Sequence, residues 1–158
     1  MKNKYANEIA FSVNHIKKVI KPWGWERWIA SGKPNFAYVF KELYVKAGFR
    51  LSLQFHEKKQ ESSIVLKGRG ILYYSARAID ISRYKSGKYT NDELKKIIKN
   101  LKRKSIVPGI VFHMDIGFLH RVEAIDDLLI MESSTVEVDD IFRLQDDFGR
   151  KDEFKNRK

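Results

Sequence analysis

The chain contains no cysteine, which excludes disulfides and thiolate metal sites, so any bound metal has to be held by imidazole, carboxylate, amide oxygen or water. This absence favours a cytoplasmic location. No apolar run approaches the roughly 20 residues that a membrane helix needs. Met1–Tyr5 is polar and lysine-rich, with no apolar core of the signal-peptide kind following it. The expectation is a soluble cytoplasmic protein without a membrane partner. No internal repeat and no low-complexity stretch is present.

What is there suffices for a folded core. Of the 158 residues, 43% are hydrophobic and 13% aromatic, against 32% charged, and a chain of this length accommodates one domain. The formal net charge of +11 raises nucleic acid as a partner, because clustered Lys and Arg displace counterions from phosphates. Much of that charge falls in Lys95, Lys96, Lys99, Lys102, Arg103 and Lys104 and in the tail Arg150, Lys151, Lys155, Arg157 and Lys158. This reads as a solvated helix face and a frayed end, so nucleic acid is disfavoured and a phosphorylated small molecule fits the charge better.

The pattern along the chain is one of short strands. Met1–Lys21 reads as an edge strand or short helix leading into Pro22-Trp23-Gly24-Trp25. Residues 36–56 read as two strands broken at Ala47-Gly48, and Ser63–Leu66 and Gly70–Tyr74 as two more. Thr90-Asn91-Asp92-Glu93 is a capping-box signature ahead of Leu94, Ile97, Ile98 and Leu101 at helical spacing, which predicts one inserted helix. Strands resume at Ile110–His113, Leu119–Val122 and Leu128–Glu132. The expectation is an all-β, antiparallel small barrel or two-sheet roll over the whole chain. Its core spans about 22–150, with an extension at 1–21, an insertion at 75–104 and a charged tail at 151–158.

Ser52, Gln54 and His56 alternate along a predicted strand, so their side chains leave the same face. Burying an unpaired amide or imidazole costs about 1–3 kcal/mol, and a metal ion would satisfy both groups. Glu61 opens the next strand and His120 lies at the mouth of a later one. Two imidazoles, a carboxylate and an amide oxygen suit Zn²⁺ or a comparable divalent ion. From spacing alone, ordinary partly buried histidines remain an equal alternative.

Gly48-Phe-Arg-Leu-Ser-Leu-Gln54-Phe-His56, Glu61 and Gly68 resemble the first motif of cupins, in the form typical of phosphomannose isomerases, where Gln replaces the first His. Gly117-Phe-Leu-His120-Arg-Val-Glu resembles the second motif. Lys21-Pro-Trp-Gly24 and Asp139-Asp-Ile-Phe-Arg143 through Asp147-Phe-Gly-Arg150 resemble the opening and closing segments of the type II phosphomannose isomerase domain. The resemblance implies a cupin barrel, a divalent metal, Zn²⁺ foremost, on Gln54, His56, Glu61 and His120, and isomerisation of mannose 6-phosphate to fructose 6-phosphate. The match departs at Glu57, Lys58 and Lys59, where the family usually has further histidines and an arginine, and at Asp115, where it has a proline. A non-catalytic sugar- or sugar-nucleotide-binding cupin of polysaccharide biosynthesis, or an isomerase or epimerase for another sugar, stand as alternatives.

The remaining candidates have two readings each. Glu132 is either a base or a hydrogen-bond partner. Arg143, with Lys41 and Arg50, is the candidate for holding phosphate, although Arg143 could pair instead with Asp139 or Asp147. Lys59 either replaces the missing arginine or is a solvated turn lysine. Trp23, Trp25 and Trp28 read as barrel caps, His15 and His113 carry no assigned role, and a homodimer is compatible with a small barrel.

Overall fold

A computed structural model describes residues 10–150; residues 1–9, which begin the Met1–Lys21 extension, and the charged tail 151–158 lie outside the described residues. After a short 3-10 turn at Val13–His15 come β1 (Val19–Lys21), β2 (Gly24–Ser31), β3 (Val39–Val45), β4 (Leu53–Phe55), β5 (Glu61–Lys67) and β6 (Gly70–Tyr74). Two helices follow, α1 (Ile81–Lys85) and α2 (Asn91–Lys99). The chain then returns to strands: β7 (Lys102–Ile106), β8 (Val111–Met114), β9 (His120–Ala124), β10 (Leu128–Ser134) and β11 (Phe142–Gln145). They form two sheets, ordered β1-β2-β3-β10-β5-β8 and β11-β4-β9-β6-β7, with every pairing antiparallel. This is the two-sheet roll that the strand pattern predicts.

Alternation sets what faces inward. Along β3, Val39, Lys41, Leu43 and Val45 are buried while Phe40, Glu42 and Tyr44 between them are half-buried, so a lysine occupies an interior position otherwise taken by aliphatic residues. Register then lines up the polar interior residues. Trp28 pairs with Lys41, Lys41 with Glu132, and Glu132 with Ser63, a row across four strands of the first sheet. In the second sheet Arg143 pairs with Gln54, and Gln54 with His120. The same antiparallel pairing thus gathers polar side chains from distant parts of the chain.

Two apolar clusters hold the fold. One lies between the sheets and includes Leu43, Val65, Leu72, Ile106, Val122, Leu128 and Ile130. The other joins Leu53, Phe55, Leu119 and Phe142 to Ile81, Tyr84, Ile97, Ile98 and Leu101, so the inserted helices cover the outer face of β4 and β11. Phe55 stacks on Phe142 at 5.0 Å and meets Tyr84 edge-on at 5.0 Å. With β4 buried from outside, Gln54 and, just past the strand end, His56 are directed into the barrel.

The inserted segment differs from its sequence reading in two ways. It holds two helices rather than one, because Asp80 caps a five-residue turn by accepting a hydrogen bond from the Arg83 amide at 2.9 Å, and five residues carry no readable helical period. Lys102, Arg103 and Lys104, grouped from the sequence with the helix face, form edge strand β7, where exposed basic side chains discourage further strand pairing. The capping box at Thr90 and Glu93 forms as predicted.

The turn between β5 and β6 depends on Gly68, at φ +82°, where a Cβ would lie 2.2 Å from the Asp127 carbonyl oxygen. Gly68→Ala is expected to destabilise by at least about 1–3 kcal/mol, the usual scale of such backbone strain. The check is a lower urea midpoint with unchanged slope.

Candidate metal centre

His56 and His120 enter the barrel from neighbouring strand ends, and Glu61 reaches them from the opposite sheet. One donor atom from each of the three lies within 4.8 Å of the others. His56 Nε2 is 3.7 Å from Glu61 Oε2, and His120 Nε2 is 3.1 Å from Glu61 Oε1. Their surroundings fix the tautomers. His56 Nδ1 donates to the Asp140 carbonyl and His120 Nδ1 donates to the Phe118 carbonyl at 3.0 Å, which leaves each Nε2 with its lone pair toward Glu61. His120 Nε2 is buried and makes no well-aligned hydrogen bond among the described residues. Two basic nitrogens and a carboxylate oriented on one point, with orienting bonds behind them, fit a divalent ion.

Gln54 lies beside this group, with its Nε2 3.4 Å from His56 Nε2 and its Oε1 accepting from Ser52 Oγ at 2.6 Å. Turning the amide would present Oε1 to the centre, and the Ser52 hydroxyl can then accept instead of donate. Gln54 therefore has the reach of a fourth ligand.

Burial is the main influence on His56, whose pKa is lowered to about 4, with the His120 and Lys59 charges adding to the effect. An imidazole that stays neutral at pH 7 is in the form that binds metal. The unfolded histidine titrates near 6.5, so the unfolded chain takes up this proton first on acidification. The stability tied to His56 is complete above about pH 6.5 and is lost as pH falls toward about 4. Metal-free protein is expected to lose up to about 3 kcal/mol over that window, which urea melts at a series of pH values would measure.

Lys59 is the main surprise of the interior. It is 4% exposed, not a solvated turn lysine, because its ammonium bridges Glu61 Oε2 at 2.5 Å and Glu132 Oε1 at 3.1 Å. Burial opposes its charge, but Glu132 and Glu61 outweigh burial and raise its pKa. Burial likewise opposes ionisation of Glu61, yet Lys59, His120 and His56 hold its carboxyl well below the usual range. Glu132 also faces Lys41, with Oε1 4.0 Å from Nζ, and the Lys41 ammonium sits 3.9 Å above the Trp28 ring.

A cavity of ≈ 280 Å³ adjoins the centre, walled by Trp23, Trp28, Lys41, Gln54, Lys59, Glu132 and Arg143 among others. Trp23 and Trp28 thus line the barrel, while Trp25 stacks on Tyr44 at 5.2 Å. Of the residues singled out in the sequence, Gln54, His56, Glu61, His120, Glu132, Lys41, Lys59 and Arg143 converge here. Arg50 does not. It is held on the outer side of the second sheet by Asp147, with Nε–Oδ2 at 2.5 Å and Nη2–Oδ1 at 3.0 Å, and lines a different cavity, so its assignment to substrate is withdrawn.

Asp140 is the residue that sequence reasoning missed. Its carboxylate accepts the backbone N–H groups of Glu57, Lys58 and Lys59 at 3.1, 2.6 and 2.9 Å, and its carbonyl orients His56. The available signal was a loop, Glu57–Lys59, whose amides need acceptors, and an acidic segment further along to supply one.

The model of the family described as mannose-6-phosphate isomerase C-terminal matches residues 8–146. No curated protein matches the chain in sequence. Among solved structures, CapF with the inhibitor 3-isopropenyl-tropolone is similar with a TM-score of 0.61 at 12% identity, over 83% of this chain and 34% of that one. KdgF from Halomonas sp. gives 0.57 at 12% identity, over 80% and 94%. Ectoine synthase from P. lautus gives 0.60 at 13% identity, over 87% and 90%. The chain thus spans about a third of the length of CapF but nearly all of the other two. At such identities the likeness is one of fold, that of a cupin. Among the described residues no helix is long and apolar enough to cross a membrane.

Proposed function

The chain belongs to the mannose-6-phosphate isomerase C-terminal family, and from that premise we propose that it is a metal-dependent sugar-phosphate isomerase, converting mannose 6-phosphate to fructose 6-phosphate. The observation that carries this reading is the convergence of His56, Glu61 and His120 within 4.8 Å, beside a cavity walled by Lys41, Glu132 and Arg143. Gln54, His56, Glu61 and His120 would hold the ion, with Zn²⁺ the expected occupant of this N and O donor set. Once bound, it would polarise the oxygens on C1 and C2 of the sugar.

The chain's own groups divide the rest of the work. Glu132 would take the proton from C2 and return it to C1, with the Lys59 ammonium 3.1 Å from its Oε1. Arg143 and Lys41 would hold the phosphate, Arg143 through a planar fork that matches two of its oxygens. Lys59 and Lys41 face Glu61 and Glu132, and Arg143 adds a further positive charge to the cavity wall. A dication would make the pocket more positive still, which suits an anionic substrate.

A second reading, a binding cupin without turnover, is favoured by one specific observation. Glu132 is tied to Lys59 at 3.1 Å and faces Lys41 at 4.0 Å, so its carboxylate is engaged in ion pairs within the barrel. An assay of mannose 6-phosphate against other sugar phosphates and nucleotide-linked sugars, with and without added divalent ions, separates the two. Ion-dependent formation of fructose 6-phosphate is expected. Bound metal with no turnover on any of the sugars would overturn the isomerase in favour of the binding module.

A further inference from the structure

We propose that the cavity between the outer face of the second sheet and the inserted segment is a second, separate anion site, built for a phosphate group. Its wall includes Arg50, Tyr73, Lys99, Arg103, Arg121 and Gln145, enclosing ≈ 200 Å³. Four cationic side chains line it and no carboxylate does. Arg121 is its base. Only 5% exposed, it leaves β9 on the face opposite His120. Among the described residues its terminal nitrogens hydrogen-bond only to Gln145, Nη1 to Oε1 at 3.4 Å and Nη2 to the backbone oxygen at 3.1 Å. Its Nε is buried and has no hydrogen-bond partner among the described residues.

Buried charges are as a rule paired, and the acids nearby are already engaged. Asp147 receives two hydrogen bonds from Arg50, Glu123 accepts from the Tyr73 hydroxyl at 2.8 Å, and Asp146 is bound by Arg150. A buried guanidinium with neutral partners and an unused N–H, with Lys99 and Arg103 beside it and Arg50 already held by Asp147, presents the planar fork that recognises phosphate oxygens. Lys99 and Arg103, both exposed, supply the rim from the inserted segment, with Arg103 lying 5.3 Å from the Tyr73 ring centre. The space is below the roughly 300–1,000 Å³ of sites for drug-sized ligands. It therefore fits inorganic phosphate or the phosphate end of a small monoester, and not a nucleic-acid strand laid across a surface.

The proposal does not depend on the activity proposed for the barrel, and its test reads the outer cavity alone. Inorganic phosphate and glycerol 3-phosphate are titrated into the full chain while the Gln145 side-chain amide is followed by NMR. A saturable shift at millimolar ligand is expected, weakened about tenfold in Arg103→Gln, the scale of one charge-assisted contact, and abolished in Arg121→Met. Should Arg121→Met not fold, Lys99→Gln combined with Arg103→Gln carries the test. Arg143→Gln, in the barrel, is expected to leave the midpoint unchanged. Tighter binding of the monoester would identify an organic phosphate as the ligand. No saturable shift, or the same midpoint in wild type and in the double variant, would overturn the proposal.

Discussion

His120→Ala is expected to lower isomerase turnover by more than about 100-fold, beyond the roughly 10–100-fold typical of losing a partner that merely orients a metal ligand. The expectation follows from the position of Nε2, buried, without a well-aligned hydrogen bond and 3.1 Å from Glu61 Oε1, while Nδ1 is committed to the Phe118 carbonyl. Alanine removes a donor that nothing else in the barrel replaces. His113→Ala is the matched control. That histidine is exposed on β8 and bonds to Ser62 Oγ at 2.8 Å, so kcat/KM should stay near that of wild type. Equal loss in the two variants would show that the effect of His120→Ala is not local to the centre.

Lys59→Met should cost about 3–5 kcal/mol, the range for breaking a buried ion pair from one side. Its removal leaves Glu61 and Glu132, each 9% exposed, as neighbouring buried carboxylates without their shared ammonium. Two comparisons separate this electrostatic cause from lost packing. Lys59→Met combined with Glu132→Gln should recover part of the loss, a non-additivity expected of groups in contact. A divalent ion should stabilise the Lys59→Met variant more than wild type, because it supplies positive charge to Glu61 without competition from the ammonium. Urea midpoints with and without metal give both readings, and a loss below about 1 kcal/mol would assign Lys59 the small role of an exposed ion pair.

Local pattern carried the fold where alternation was regular and failed where distant contacts decide. β3, β5 and β10 alternate cleanly between buried and more exposed residues, and each holds a short apolar or β-branched run that was readable as a strand. β2 was missed as a strand because its register shifts between Trp28 and Ala30, and β11 because four residues inside an acidic segment give too short a pattern. Gln54, His56, Glu61 and His120 were singled out by motif; the structure pairs Gln54 with His120 in one sheet and brings Glu61 to His56 and His120 from the other. Lys59 could not be placed from sequence. Lysine is almost never buried unless paired, and one of its two carboxylates lies 73 residues away. Arg50 was misassigned for the same kind of reason, since Asp147, 97 residues away, decides which side of the sheet its guanidinium occupies.

Metal stoichiometry tests the central claim most directly. Wild type, His56→Ala and Glu61→Gln are stripped with chelator, reconstituted with Zn²⁺, desalted and analysed for metal by mass spectrometry. One equivalent in wild type, lost in both variants while each retains its folded circular dichroism spectrum, is the predicted result. A wild type that takes up no metal, or folded variants that hold as much as wild type, would contradict it.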